Sequence, residues 1–182
     1  TLTLGDNVTN IGEGAFNNNH LSFVNIPNSV HTIGDHAFSD NSLNTLTLGD
    51  NVSIIGEGAF MNNDLSFVIL PASVNTISHN AFKNNILETI IIEENHSLFI
   101  AIGAFINNSS SIYLKSNANI GIISSDVINI GNITRLEING PTNSTIYDNF
   151  FTDNNLQNLT LGNDIEIIGN LAFAHNNLNT LT

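Results

Sequence analysis

Apolar and polar residues alternate in short bursts along this chain, and the bursts repeat. Thr1-Leu2-Thr3-Leu4-Gly5-Asp6-Asn7-Val8 returns as Thr45-Leu46-Thr47-Leu48-Gly49-Asp50-Asn51-Val52, and Asn25-Ile26-Pro27-Asn28-Ser29-Val30 lies halfway between. The period is therefore twenty-two, the step from Leu4 to Ile26. The last apolar residue of each Leu-x-Leu burst marks a copy: Leu4, Ile26, Leu48, Leu70, Ile92, Leu114, Ile138 and Leu161. The spacing is 22 five times, then 24 and 23. Twelve residues after the first mark comes an Ala-Phe pair, at Ala15-Phe16, Ala37-Phe38, Ala59-Phe60, Ala81-Phe82 and Ala172-Phe173. Ala104-Phe105 comes one position late, and Phe150-Phe151 keeps only the aromatic. Eight copies fit this pattern.

One unit is too short to bury its own apolar face, so stacked units must share a continuous core. Alternating apolar residues, such as Val24 with Ile26 or Leu46 with Leu48, predict a short strand. Gly5, Pro27, Gly49, Pro71 and Gly162 predict a turn after it. The Ile-Gly-x-x-Ala-Phe segments, as in Ile11 to Phe16 and Ile33 to Phe38, predict a short helical turn with Ile11, Ala15 and Phe16 facing inward. Glu13, Asp35 and Glu57 fall early in that turn, where a helix dipole favours carboxylates.

Three residues after each Phe stands an Asn: Asn19, Asn41, Asn63, Asn85, Asn108, Asn154 and Asn176. An Asn fixed at one position of a solenoid is expected to form a structural ladder. Its amide can satisfy the backbone of a tight corner and pair with the Asn of the next rung. Two residues further on, Leu21, Leu43, Leu65, Leu87, Leu156 and Leu178 return the chain to the core.

The stretch Ile26-Pro27-Asn28-Ser29-Val30-His31-Thr32-Ile33-Gly34-Asp35-His36-Ala37-Phe38 resembles the motif of BspA-like, Treponema pallidum-type leucine-rich repeats. The likeness is tight in the first four copies and the eighth. It loosens from Glu93 to Leu156, and Ile128 and Gly131 depart from the motif. The resemblance implies a curved solenoid with a parallel sheet on its concave face. It also implies a surface-exposed or secreted protein, with adhesion and partner binding as the associated functions. The fold expected is a right-handed horseshoe of about eight rungs, each twenty-two to twenty-four residues long, with short helical turns on the convex face. Residues 1–182 read as one such domain, a piece of a longer protein.

Composition narrows the functions. Three cations stand against 16 carboxylates, a net charge of −13. Such a surface cannot neutralise a run of phosphates, so neither nucleic acid nor an anionic membrane is an expected partner. No apolar run approaches the roughly 20 residues of a membrane-spanning helix. There is no Cys, hence no disulfide, thiolate metal site or thiol nucleophile. The six His residues (His20, His31, His36, His79, His96 and His175) hold different places in the repeat and predict no metal cluster. Asn is the most frequent residue type of the chain, and much of it falls at the repeated corners. No nucleophile or acid–base set can be named, so the chain is not expected to be an enzyme or to hold a cofactor or metal.

The outward positions of the strands carry the functional expectation. One column runs Thr1, Phe23, Thr45, Phe67, Thr89, Ser111, Arg135, Asn158. The other runs Thr3, Asn25, Thr47, Ile69, Ile91, Tyr113, Glu137, Thr160. Phe23, Phe67, Ile69, Ile91 and Tyr113 thus form an apolar stripe ending against Arg135 and Glu137, the expected contact face for a protein or polymer on a cell surface or matrix. The competing reading is that a flanking segment covers the stripe, or that Phe and Thr simply suit strands. The alternative function is structural: a rigid spacer, or a filament subunit associating end to end through bare strand edges. Thr ladders suited to an ice surface are interrupted by Phe23, Asn25, Phe67 and Ile69.

Overall fold

The computed structural model describes residues 2–93, 98–101, 103–109, 112–116, 133–139, 144–149 and 151–182. Thr1, His96, Ser111, Ile128, Gly131 and Phe150, named above, lie outside them. The strands in chain order are β1 (Asn10–Ile11), β2 (Phe23–Asn25), β3 (Thr32–Ile33), β4 (Thr45–Thr47) and β5 (Ile54–Ile55). Then come β6 (Phe67–Leu70), β7 (Thr76–Ile77), β8 (Thr89–Ile92), β9 (Phe99–Ile100) and β10 (Ile112–Ser116). The series closes with β11 (Ile133–Ile138), β12 (Ser144–Ile146), β13 (Asn158–Leu161), β14 (Ile165–Ile168) and β15 (Thr180–Leu181).

Among the described residues all strand pairings are parallel and join one turn to the next, which makes a parallel β-solenoid of about six turns. Its longest hydrogen-bonded sheet has six strands, in the order β15-β13-β11-β10-β8-β6, and β2-β4 extends the same series after a break. The expected count of eight rungs is not supported. A second sheet, β1-β3-β5-β7-β9, arises from the two-residue segments ending in Ile that precede Gly12, Gly34, Gly56, Ser78 and Ala101, and β12 and β14 form a separate two-stranded sheet.

The expected helical turns are absent: no helix occurs among the described residues. The reason lies in where the backbone N–H groups point. Phe16 N–H donates to the Ala37 carbonyl at 2.8 Å, Phe38 to Ala59 at 2.8 Å and Phe60 to Ala81 at 2.8 Å. These bonds run along the stack and hold successive turns together, whereas a helix would spend them inside each segment. The segment also contains two left-handed residues four apart, such as His36 (φ 54°) and Asp40 (φ 55°) or Gly58 (φ 58°) and Asn62 (φ 56°), which a right-handed helix excludes. The early carboxylate therefore does not cap a helix. Asp35 Oδ1 instead accepts the Glu57 N–H of the next turn at 2.8 Å.

The core is one column system. Ile33, Ile55, Ile77 and Ile100 from the second sheet meet Val24, Val68, Ile90, Leu136 and Leu159 from the first, all buried. The Phe residues stack ring on ring, at 5.5 Å for Phe38–Phe60, 5.3 Å for Phe60–Phe82 and 5.3 Å for Phe82–Phe105. In the first copy Ala15 is exposed and Phe16 only half-buried, in contrast to the buried Ala37 and Phe38. Turn-to-turn contact is close at the Ile-Gly corner. A Cβ on Gly56 would lie 2.6 Å from Asp35 Oδ1, so only glycine fits there.

Candidate contact face and polar pocket

Residues two apart in a strand share a face, and the observed register defines the rows. Phe67 lies opposite Thr89, which lies opposite Tyr113, then Arg135, then Asn158. Ile69 lies opposite Ile91, then Lys115, Glu137 and Thr160. The expected columns are corrected at β10: Tyr113 belongs with Phe67 and Arg135, and Lys115 takes the place assigned to Tyr113. The step from Thr89 to Tyr113 is two positions longer than the regular period, so the longer repeat comes one turn earlier than the spacing of apolar marks suggests.

Phe23, Phe67 and Ile69 are each 43% exposed, and Ile91 is half-buried beside Ile69. Phe67, Ile69 and Ile91 are contiguous. Phe23 is not, since it pairs with Thr45 and the sheet breaks between β4 and β6. At that break lies a cleft of about 350 Å³, lined by Leu46, Leu48, Phe67, Ile69 and Pro71 with Asp50 and Glu93. Leu46 is accordingly only half-buried, where Val24 and Val68 on neighbouring turns are buried.

The other end of the face is polar and tightly connected. The Tyr113 hydroxyl donates to Glu137 Oε2 at 2.6 Å. Glu137 Oε1 accepts from Asn139 Nδ2 at 2.8 Å and pairs with Lys115 Nζ at 3.2 Å. The Arg135 guanidinium lies 4.4 Å over the centre of the Tyr113 ring. The Tyr113 bond and then the Asn139 bond hold the Glu137 carboxyl below its usual range. Burial first, then the bond and charge of Glu137, push the Tyr113 hydroxyl up. A pocket of about 650 Å³ adjoins the cluster, formed by β8, β10, β11 and β13. Lys115 and this pocket were not singled out from the sequence. The available signal was that two of only three cations fall on neighbouring strands.

The Asn column sits at the corners, away from the face. Asn63 Nδ2 donates to the carbonyls of Phe38 (3.0 Å), Phe60 (3.2 Å) and Met61 (3.3 Å), and its Oδ1 accepts the Leu43 N–H at 2.9 Å. Asn41, Asn85, Asn108 and Asn176 repeat this arrangement with Leu21, Leu65, Leu87 and Leu156. Asn19 bonds only within its own corner, to Phe16 and Asn17, and Asn154 donates to Thr152. The bridges to neighbouring turns thus run through backbone groups, not from one of these amides to the next. Direct side-chain pairing occurs one residue earlier, where Asn107 donates to Asn84, Asn84 to Asn62 and Asn62 to Asp40. Those four residues all have left-handed backbone, which Asn and Asp tolerate best after Gly.

Among the described residues no group of three or more His, Asp or Glu could hold a metal ion. No helix there is long and apolar enough to cross a membrane. A family model described as BspA type leucine rich repeat region matches in six copies, over residues 1–111 and 87–182. No curated protein and no solved structure matches the chain.

Proposed function

The chain belongs to the BspA-type leucine-rich repeat family, and from that membership we propose that it is a non-enzymatic binding or adhesion module of a cell-surface or secreted protein. Surface binding and adhesion are functions associated with this family. The observation that carries the reading is the exposure of Phe67 and Ile69 side by side with Ile91 along an apolar cleft. Burying one such side chain against a partner contributes about 1.5–3 kcal/mol. Phe67, Ile69 and Ile91 stand together on neighbouring strands of one sheet, and the acidic surroundings favour a protein or polymer over an anionic membrane. The test is adhesion of protein-coated beads to cultured cells and matrix-coated wells. Phe67→Ser should lower adhesion at least tenfold with an unchanged circular dichroism melt; retained adhesion removes the proposal.

A second reading, end-to-end association, is favoured by the last turns, where Ile167, Ile168, Leu171 and Leu181 are more than half exposed. Light scattering that grows with protein concentration supports it, and a monomer at all concentrations removes it.

A further inference from the structure

We infer that the pocket beside Arg135 binds a saccharide carrying a single carboxylate, such as a uronic acid residue in an otherwise neutral glycan. The inference extends the contact-face reading to its polar end, and rests on that reading only in treating this sheet as a binding surface.

Charge is the first observation. In a chain with three cations, Lys115 and Arg135 both stand here. Among the described residues the one ion pair is Lys115–Glu137, so Arg135 stands in no ion pair of its own. Its guanidinium carbon lies over the ring of Tyr113, whose hydroxyl is fixed by Glu137. A guanidinium placed in this way presents a fork of donors that matches a carboxylate.

The second observation is the pocket lining. Besides Arg135 and Tyr113 it offers the side chains of Glu88, Thr89, Gln157 and Asn158. The Asn side chains of the corners are tied into hydrogen bonds between turns, yet these four make none with the described residues. Hydroxyl, amide and carboxylate groups converging with an aromatic ring suit the many hydroxyls of a sugar. At about 650 Å³ the pocket falls within the range of roughly 300–1,000 Å³ usual for ligand sites.

The third observation is the surrounding field. A net charge of −13 repels a polyanion, and Glu88 adds to that repulsion inside the pocket. Screening over about 8 Å leaves Arg135 dominant only at short range. One carboxylate among neutral hydroxyls therefore fits better than a sulfated or phosphorylated polymer.

The experiment is calorimetric titration of the full chain with trigalacturonic acid carrying methyl esters on all but one carboxyl, against the fully esterified trisaccharide. The free-acid form should bind about 10–100-fold more tightly, the usual worth of a charge-assisted bidentate pair. Arg135→Gln should erase that preference, Arg135→Lys should restore part of it, and Phe67→Ser should leave it unchanged. Equal binding of the two saccharides, no binding of either at millimolar concentration, or a preference that survives Arg135→Gln overturns the inference. Loss of adhesion in Phe67→Ser with intact saccharide binding, or the reverse, separates failure of this site from failure of the apolar face.

Discussion

Asn63 reaches back one turn and donates its side-chain amide to the Phe38 carbonyl at 3.0 Å, at a site where Asn63 is 6% exposed. The same side chain accepts the Leu43 N–H, so one residue closes two corners. Asn63→Ala leaves the buried Leu43 N–H without a partner, while the Phe38, Phe60 and Met61 carbonyls keep Asn41, Asn85 and the Asp40 N–H, so the cost is roughly 2–3 kcal/mol. Its neighbour Asn62 is only half-buried, in the side-chain pairing column, and holds a left-handed backbone. Asn62→Gly, which accepts that backbone, should change stability by no more than about 0.5 kcal/mol, and Asn62→Ala should fall between, at about 1 kcal/mol. Urea titrations of the three variants check the order; equal losses contradict it.

The glycine column yields a contrast within one sequence position. Gly56 packs against Asp35 and Gly34 of the preceding turn, and a Cβ there would lie 2.6 Å from both Asp35 Oδ1 and the Gly34 carbonyl carbon. Gly12 holds the equivalent place in the first copy and would meet nothing within 4 Å. Gly56→Ala should therefore destabilise by about 1–3 kcal/mol. Gly12→Ala should be neutral or stabilise by up to about 1 kcal/mol. Thermal melts of the two variants measure the difference directly.

The Phe stack predicts a position-dependent loss. Phe60 is fully buried between Phe38 and Phe82, so Phe60→Ala should cost about 3–5 kcal/mol. Phe16 has a ring on one side only and is half-buried, so Phe16→Ala should cost less than half as much. Similar losses at both positions contradict a core built by stacking.

The polar end of the sheet predicts a pH window. Glu137 has a lowered pKa in the folded chain, so its contribution is full above the ordinary carboxylate value of 4.5 and is lost as pH falls through the folded value. Tyr113 has a raised pKa, so its contribution is full below 10.0 and is lost as pH rises through the folded value. Wild type minus Tyr113→Phe should therefore be flat in stability from about pH 5 to 9 and narrow at both ends. A difference that does not vary from pH 3 to 11 contradicts the assignment.

The period, the Phe column and the Asn column were legible in the sequence because one residue type recurs at one place in each unit. The second sheet was not. Its strands β3, β5 and β7 are two residues long, too short for alternation to register, and they precede a Gly or Ser that reads as a helix start or a turn. The left-handed column was hidden for another reason: Gly14, His36, Gly58 and Asn80 share a backbone conformation but not a residue type. At the candidate face, Phe67, Ile69 and Ile91 lie where their alternation places them. Tyr113 does not, because two extra residues before β10 move the register: one shows in the late Ala104-Phe105 pair, and the other leaves no mark in the apolar pattern. The polar pocket depends on that shift, which brings Tyr113 against Arg135.

Ile69 and Ile54 offer the sharpest comparison for the claim that the long sheet is the contact face. Both are strand isoleucines of near-equal exposure, 43% and 39%, but Ile69 lies on β6 and Ile54 on β5 of the second sheet. The decisive measurement is adhesion of beads coated with Ile69→Thr or Ile54→Thr protein, with melts matched to wild type. Ile69→Thr should reduce adhesion about tenfold while Ile54→Thr leaves it at the wild-type level. Equal adhesion by the two variants, or a loss confined to Ile54→Thr, contradicts the account.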